Sequence, residues 1–379
     1  MKFIHLSDLH LGKRVHDISM IEDQRDILTK ILAIIDEEAP DCVILAGDIY
    51  DKAVPTAEAT ALFDDFLVRL AQRRLQVFAI SGNHDSPERI AFGSRLMDAS
   101  GIHLSPVYDG CIRPVTLTDE HGPVHIYMLP FVKPMHVRRF FEEEPINTYT
   151  DAIGVAIGQM QPDFQQRNVL ITHQFVTGAS RSESEEITVG GVDNVDATVF
   201  QGFDYVALGH IHSPQNCGSP AIRYCGTPLK YSFSEARDEK SVTVAELGEK
   251  GTLTVRTVPL TPKHEMVELK GTFRELTDNT FYEGTSWQSD YVHATLTDEE
   301  DIVDALGKLR QVYHNLLRLD YDNSRTQAHP ELAGADIREN ISPMELFAQF
   351  YTLQNGRPMS REQLVFLEEL LEKAKEAQP

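Results

Sequence analysis

The sequence predicts an α/β layered domain, then a small α+β domain, then a helical tail. Strand-like and helix-like segments alternate over residues 1–105, which is the pattern of a layered α/β fold. Five short fragments rich in Asp, Asn and His each stand where an apolar run ends. The chain changes character after Pro259 and Pro262, where proline punctuates the end of the first domain.

The elements follow in order. Lys2-His5 reads as a strand, and a helix is predicted over Ser19-Glu38, with Ile21, Ile27, Leu28, Ile31, Leu32 and Ile35 near a 3.6 period. Cys42-Leu45 is the next strand. Thr56 caps a helix over Thr56-Arg73, whose Phe63, Phe66, Leu67 and Leu70 form one stripe. Gln76-Ile80 is a third strand. Residues 109–130 carry turn signals, including Gly122-Pro123, and suggest hairpins. Val169-Ile171, Tyr205-Leu208 and Ile222-Cys225 read as further strands, and Ser241-Leu247 with Thr252-Val258 as a closing hairpin.

The second part begins after residue 262. Strands are expected at Asp290-Leu296 and Leu316-Leu319, with a helix over Glu299-Val312 between them. Residues 323–340 are polar and read as a linker or a plain surface loop. A capping box at Ser342-Pro343-Met344-Glu345 opens a helix that Asn355-Gly356 stops, and Ser360 with Gln363 opens a second. These two amphipathic helices either pack on their own domain or dock a partner.

Composition narrows the class. Hydrophobic content of 41% supports a core, and no apolar run reaches the length of roughly 18 residues that a membrane span needs. Met-Lys-Phe-Ile-His starts a strand and not a signal peptide. Cys42, Cys111, Cys217 and Cys225 are scattered, as free thiols of a reducing cytoplasm are. A net charge of −23 is unusual for a nucleic-acid binder, so any polyanion has to be drawn by cations, by local basic groups or by a partner subunit.

The chemistry lies in the five fragments: Asp8-Leu9-His10, Gly47-Asp48-Ile49-Tyr50-Asp51, Gly82-Asn83-His84-Asp85, Thr172-His173-Gln174 and Gly209-His210-Ile211-His212. Strands that stop together at one sheet edge bring them into one cleft. Carboxylate, amide oxygen and imidazole in that mix suit a pair of divalent transition ions. Two such ions, about 3.5–4 Å apart, form a common device for splitting phosphoesters. Asp48 can offer one carboxylate oxygen to each ion. Asp8 and His10, two apart, share one side of an extended chain, and His210 with His212 repeat that spacing. Each fragment alone is weak; the ordered set is specific.

The set resembles the calcineurin-like metallophosphoesterases. More narrowly, Ser7-Asp8-Leu9-His10-Leu11-Gly12, Ala46-Gly47-Asp48-Ile49-Tyr50-Asp51, Gly82-Asn83-His84-Asp85, Ala207-Leu208-Gly209-His210-Ile211-His212 and Tyr224-Cys225-Gly226-Thr227-Pro228 are similar to the SbcD family of bacterial exonuclease subunits. His173 departs mildly from that family, standing in Thr-His-Gln where many relatives carry Gly-His.

The resemblance implies a four-layer α/β/β/α sandwich over 1–262, a small α+β DNA-capping domain over 263–322, the linker, and a C-terminal helical hairpin over 341–379 that binds an SbcC-type coiled-coil ATPase. It implies a cytoplasmic, nucleoid-associated homodimer acting on DNA ends and hairpins in repair, recombination and replication. The activity would be that of a 3′→5′ double-strand exonuclease and single-strand endonuclease. Asp8, His10, Asp48 and His212 would hold one ion, usually Mn2+, and Asp48, Asn83, His173 and His210 the other. His84 stands beside Asn83 outside that set, placed to protonate the leaving oxygen or stabilise the phosphorane.

Asp51 is expected to hydrogen-bond the His84 ring and favour the imidazolium, or else to cap its loop. Lys13 and Arg14 are the candidate phosphate contacts, with Lys133, Arg138, Arg139 and Arg181 in loops that could face the cleft. Glu183, Glu185 and Glu186 would repel DNA, which makes their loop a partner or dimer element. A small-molecule phosphodiesterase or phosphatase on the same core is the alternative, which the acidity would suit. A scaffold without activity would have lost at least one metal-binding residue.

Overall fold

A computed structural model gives the architecture, and the structure describes residues 1–180, 182, 185, 193–300, 302–327, 344, 347, 348, 350–352, 358–361, 363, 364, 366, 367 and 370. The chain forms two compact units, Met1–Met266 and Val267–Pro379. In the first unit β1 (Lys2–Leu6), α1 (Ile21–Glu38), β2 (Cys42–Ala46), α2 (Ala57–Gln72), β3 (Gln76–Ile80) and β4 (Ile102–Leu104) alternate as expected. A hairpin, β5 (Val115–Asp119) and β6 (Gly122–Leu129), is followed by α3 (Tyr149–Met160). Then come β7 (Arg167–His173), β8 (Tyr205–Gly209), β9 (Gln215–Cys217), β10 (Ser219–Tyr224), β11 (Ser241–Leu247) and β12 (Leu253–Pro259).

The strands make two six-stranded sheets, ordered β12-β11-β1-β2-β3-β4 and β9-β10-β8-β7-β6-β5. The run β1-β2-β3-β4 is parallel, as is β10-β8-β7-β6, while the outer hairpins are antiparallel. Parallel strands buried on both faces read as continuous apolar runs, which is why Cys42–Ala46 and Tyr205–Gly209 are buried throughout. The side-chain alternation sorts the second sheet. Val169, Ile171, Tyr205 and Ala207 face Phe3, Ile44, Phe78 and Ile80 in a core between the sheets. Leu170, Val206 and Leu208 face Ile153, Ala156 and Ile157 of α3 on the other side. Helices α1 and α2 bury Ile27, Leu28, Ile31, Leu62, Phe66 and Leu70 in the same unit. Helix, sheet, sheet and helix make the expected four-layer sandwich.

Local signals explain the ends. The Thr56 side chain accepts from Ala59 N at 3.2 Å and caps α2. Thr148 and Asp151 form a reciprocal capping box on α3, a helix absent from the sequence reading although Thr-x-x-Asp was there to see. Strand β6 is more than one arm of a hairpin, because its other edge pairs in parallel with β7.

The second unit holds a three-stranded sheet, β13 (Met266–Gly271), β14 (Tyr291–Leu296) and β15 (Asn315–Tyr321), and a helix α4 (Ala305–Arg310). Its core gathers Leu269, Leu276, Val292, Leu309 and Tyr313. The helix expected over Glu299-Val312 is shorter, because Asp304 sits at φ 53°, a left-handed angle that a helix interior does not hold. Strand β13 was not foreseen. Most of the linker and of the segment 341–379, including the Ser342 and Asn355-Gly356 signals, lies outside the described residues. Ser360 and Gln363 do cap each other, at 2.8 and 3.3 Å. The four cysteines are free, with Cys111 alone exposed. Among the described residues no helix is long and apolar enough to cross a membrane.

Candidate metal centre

Strands β1, β2, β3, β7 and β8 all end at one edge, which is where open parallel sheets place their ligand sites. The loops that leave them are stitched together by their backbones. Asp8 N donates to Gly47 O at 3.0 Å, His10 N to Asp48 O at 3.0 Å and Leu11 N to Ile49 O at 2.9 Å. Asp8, His10, Asp48 and His210 all have positive φ, at 53°, 43°, 49° and 104°. Such angles cost a non-glycine residue of order 1–3 kcal/mol and gather at functional sites. Two glycines let the loops close. A Cβ on Gly82 would strike the Asp48 carboxylate, and one on Gly209 would strike the Ala46 carbonyl.

All seven donors expected from the sequence meet in this cleft. Asp8, His10, Asp48, His173, His210 and His212 are 8% exposed or less. Asp48 Oδ2 lies 3.3 Å from His173 Nε2 and 3.8 Å from His10 Nε2. Asn83 Oδ1 lies 3.0 Å from both His173 Nε2 and His210 Nδ1. His10 Nε2 and His212 Nε2 face each other at 3.2 Å. Three donor triads are compact: Asp8, His10 and His212; Asp8, Asp48 and His173; and His10, Asp48 and His84. Asp48 Oδ1 accepts from His84 N at 2.9 Å, while Oδ2 faces His173 and His10.

These donors suit cations. His173 Nδ1 donates to Ala46 O at 2.8 Å, and His212 Nδ1 lies 3.5 Å from the Glu235 carboxylate. Each contact turns Nε2 of its ring toward the cleft, the arrangement that orients metal-binding imidazoles. His10 Nδ1 is buried without a hydrogen-bond partner among the described residues. Imidazole nitrogens, carboxylate oxygens and the Asn83 amide oxygen therefore converge on one small space, a donor set that suits divalent transition ions. Burial holds His10 neutral, well below its usual range, and pushes Asp8 up. Burial opposes charge on His173 too, but the Asp48 carboxylate overrides it and lifts His173 to about 9. Against the same burial, His173 holds Asp48 below the usual carboxylate range. In the metal-free chain a proton on His173 thus stands where a cation would.

His84 lines the cleft with Nε2 4.0 Å from Asp48 Oδ2. Its Nδ1 donates to the main-chain carbonyl of Asp51 at 3.1 Å. The expected Asp51 carboxylate contact is corrected, because that carboxylate holds Lys13 Nζ at 2.9 Å. Lys13 is therefore engaged, and it also lies 5.6 Å over the Tyr231 ring. Arg14 bends back onto the Asp17 carbonyl. Arg138 is tied to Ile146 O at 2.9 Å and Arg139 stacks on Phe140. Lys133 is exposed and lines the cleft beside Asn83 and His210. Arg181, Glu183 and Glu186 lie outside the described residues. Glu185 does not face a substrate: it is 6% exposed and accepts from His212 N at 2.7 Å.

Three supporting residues escaped the sequence reading. Asp85 accepts from Gly82 N, Ile49 N and Tyr50 N at 2.9, 3.0 and 2.9 Å, clamping two loops; burial and the Asp48 charge push it up to about 7. Its place in the Gly-Asn-His-Asp fragment was the available signal. Glu235 is fully buried behind His212 and binds Lys240 Nζ at 2.6 Å, while Lys240 also donates to His212 O at 2.9 Å. No spacing in the sequence connects these two to His212.

Comparison with known proteins agrees with this geometry. The Calcineurin-like phosphoesterase family matches residues 1–214, and the family described as Type 5 capsule protein repressor C-terminal domain, SbcD_C, matches residues 262–355. The chain belongs to the calcineurin-like phosphoesterases. Within them it belongs to the SbcD family. A relative from Staphylococcus epidermidis, named as the SbcD component of the nuclease SbcCD, is 32% identical over 89% of this chain and 90% of the relative. The protein of the same name from Staphylococcus saprophyticus is 30% identical, over 98% of each chain.

Proposed function

We propose that this chain is the metal-dependent nuclease subunit of an SbcCD-type complex, hydrolysing phosphodiester bonds at DNA ends together with an SbcC-type coiled-coil ATPase. The observation that carries the reading is the convergence of seven donor side chains from five strand ends in one cleft. Asp8, His10, Asp48 and His212 hold one divalent ion in this reading, and Asp48, Asn83, His173 and His210 the other. The ions, Mn2+ by proposal, supply Lewis acidity toward the phosphoryl oxygens and an acidified water.

The chain's own residues then have separate tasks. The Asp51 carbonyl fixes the His84 ring, so His84 Nε2 can hold a proton at the cleft and give it to the leaving 3′ oxygen. The proposed 3′→5′ exonuclease and single-strand endonuclease actions would both use this bond-breaking step. Residues 1–262 act as the nuclease domain, 263–322 as the DNA cap and 323–340 as the linker. Phe347, Phe350, Phe366 and Leu370 are 46%, 52%, 63% and 47% exposed, which supports a docking role for 341–379. Phe92 and Leu96, 82% and 84% exposed, support a homodimer. With a net charge of −23 that a second copy would double, the bound cations and the ATPase are the proposed sources of positive charge toward DNA. The cytoplasm, at the nucleoid, is the proposed location.

The test is cleavage of linear duplex DNA and of bis-p-nitrophenyl phosphate by the full chain in Mn2+. Both should be hydrolysed, and EDTA should stop both. Hydrolysis of the small diester with intact DNA would favour a small-molecule phosphodiesterase. Recovery of a large ATPase with the tagged chain tests the partner.

A further inference from the structure

A recess of about 150 Å3 opens beside the metal donors, with Asn83 and His210 on its inner wall. The rings of Phe131, Tyr149 and Phe175 line it, together with the exposed Lys133 and the buried Gln174 and Asp193. The Phe131 ring sits edge-on to His173, centroids 6.3 Å apart at 84°, and the Phe175 ring is tilted against His210 at 6.4 Å and 60°. Phe131 is anchored to the Asn83 loop, since its N donates to Ser81 O at 2.9 Å. Gln174 Nε2 donates to Val132 O at 3.3 Å, which fixes the amide, and Oε1 is buried with no hydrogen-bond partner among the described residues.

These rings do not themselves hold a cation, yet Phe131 and Phe175 remain partly exposed at the edge of a buried polar centre. Planar apolar faces next to a phosphoester-splitting site suit a planar apolar ligand attached to a phosphate. Ligand pockets for drug-sized molecules start near 300 Å3, so this recess takes one ring system and not a stacked pair. A duplex cannot enter it. A single nucleotide can, if its base has left the helical stack. Base stacking on aromatic side chains tolerates any sequence, as a nuclease acting on arbitrary ends requires.

The geometry points to a slot for one unpaired nucleobase, formed by Phe131 and Phe175, that seats the terminal nucleotide while its phosphodiester lies against the metal donors. Lys133 meets the phosphate next in line. The inference rests on the nuclease reading and deepens it, by making an unstacked terminal base part of what the site recognises.

The test uses the full chain, the variants Phe131→Leu, Phe175→Leu and Phe175→Tyr, and single-stranded oligonucleotides ending 3′ in 2-aminopurine or in an abasic residue. Stacking is read as quenching of 2-aminopurine on adding protein in Ca2+. Turnover is read in Mn2+, with each DNA rate divided by the rate on bis-p-nitrophenyl phosphate, which has no base. That division removes any general loss at the metal centre. The wild type should quench the terminal base and cut the normal end about tenfold faster than the abasic end. Both leucine variants should lose the quenching and the preference, and Phe175→Tyr should keep them. Leucine variants that quench and discriminate like the wild type overturn the slot. A wild-type chain that hydrolyses the small diester but neither binds nor cuts DNA overturns the nuclease reading, and the slot with it.

Discussion

His84 Nδ1 is held at 3.1 Å by the main-chain carbonyl oxygen of Asp51, while the Asp51 carboxylate is paired with Lys13 at 2.9 Å. Orientation of the ring thus depends on the backbone at position 51 and not on the charge there. Asp51→Asn keeps the carbonyl, and its amide oxygen can still accept from Lys13. Turnover of bis-p-nitrophenyl phosphate in Mn2+ should fall by less than about tenfold, far below the usual cost of losing a general acid. A loss as large as that of His84→Ala would return the carboxylate to the mechanism.

His84→Ala itself should separate binding from chemistry. The side chain is not among the seven proposed metal donors, yet it faces Asp48 Oδ2 at 4.0 Å. Metal content by elemental analysis should stay at two ions per chain. The kcat should drop by about 10²–10⁴-fold, the range for a positioned proton donor. Loss of one ion in this variant would make His84 a ligand instead.

Much of this centre was legible because chain order and strand ends carry it. Asp8, Asp48, Asn83, His173 and His210 each follow an apolar run, and parallel strands must end together. Side-chain targets were not legible, since they depend on neighbours from distant segments. Lys13 looked free beside Arg14, but Asp51 lies 38 residues away and engages it. Glu185 looked like part of an acidic surface loop, and it is folded under the His212 amide. The helix at Tyr149–Met160 carries Gly154 and Gly158, which blur its apolar stripe, although its capping box was present. Glu235 and Lys240 have no motif at all and are found only through His212.

That buried pair should matter to stability. Glu235 and Lys240 are 0% and 4% exposed, and their charged atoms lie 2.6 Å apart. Burial opposes the charge on Glu235, but His212 and Lys240 hold its carboxyl below the usual range. Lys240→Met takes the nearest counter-charge from the buried carboxylate, beside which the His212 ring and the Thr227 hydroxyl, at 3.3 Å, remain. Breaking one side of such a pair costs about 3–5 kcal/mol, to be read from urea unfolding. Glu235→Gln combined with Lys240→Met removes both charges and should recover part of the loss. Equal loss in the single and double variants would place the cost in packing. Because the Glu235 carboxylate also orients the His212 ring from behind, Mn2+ affinity should be about 10–100-fold weaker in Glu235→Gln.

The proton on His173 gives the metal-free chain a pH response opposite in sign to that of the loaded one. Asp48 lifts this imidazole from its ordinary 6.5 to about 9 against the effect of burial. A raised folded-state value stabilises the fold fully below pH 6.5, and the benefit is lost as pH rises through 9. In EDTA the melting temperature should therefore decline between those limits. Cation binding must displace the same proton, so apparent Mn2+ affinity should climb by about tenfold per pH unit until His173 is neutral. Calorimetry in two buffers of different ionisation enthalpy should show about one proton released per chain near neutral pH. His173→Gln should abolish the decline in EDTA and most of the proton release together. A melting temperature that rises with pH in EDTA, or metal binding with no proton released, would contradict the Asp48–His173 coupling.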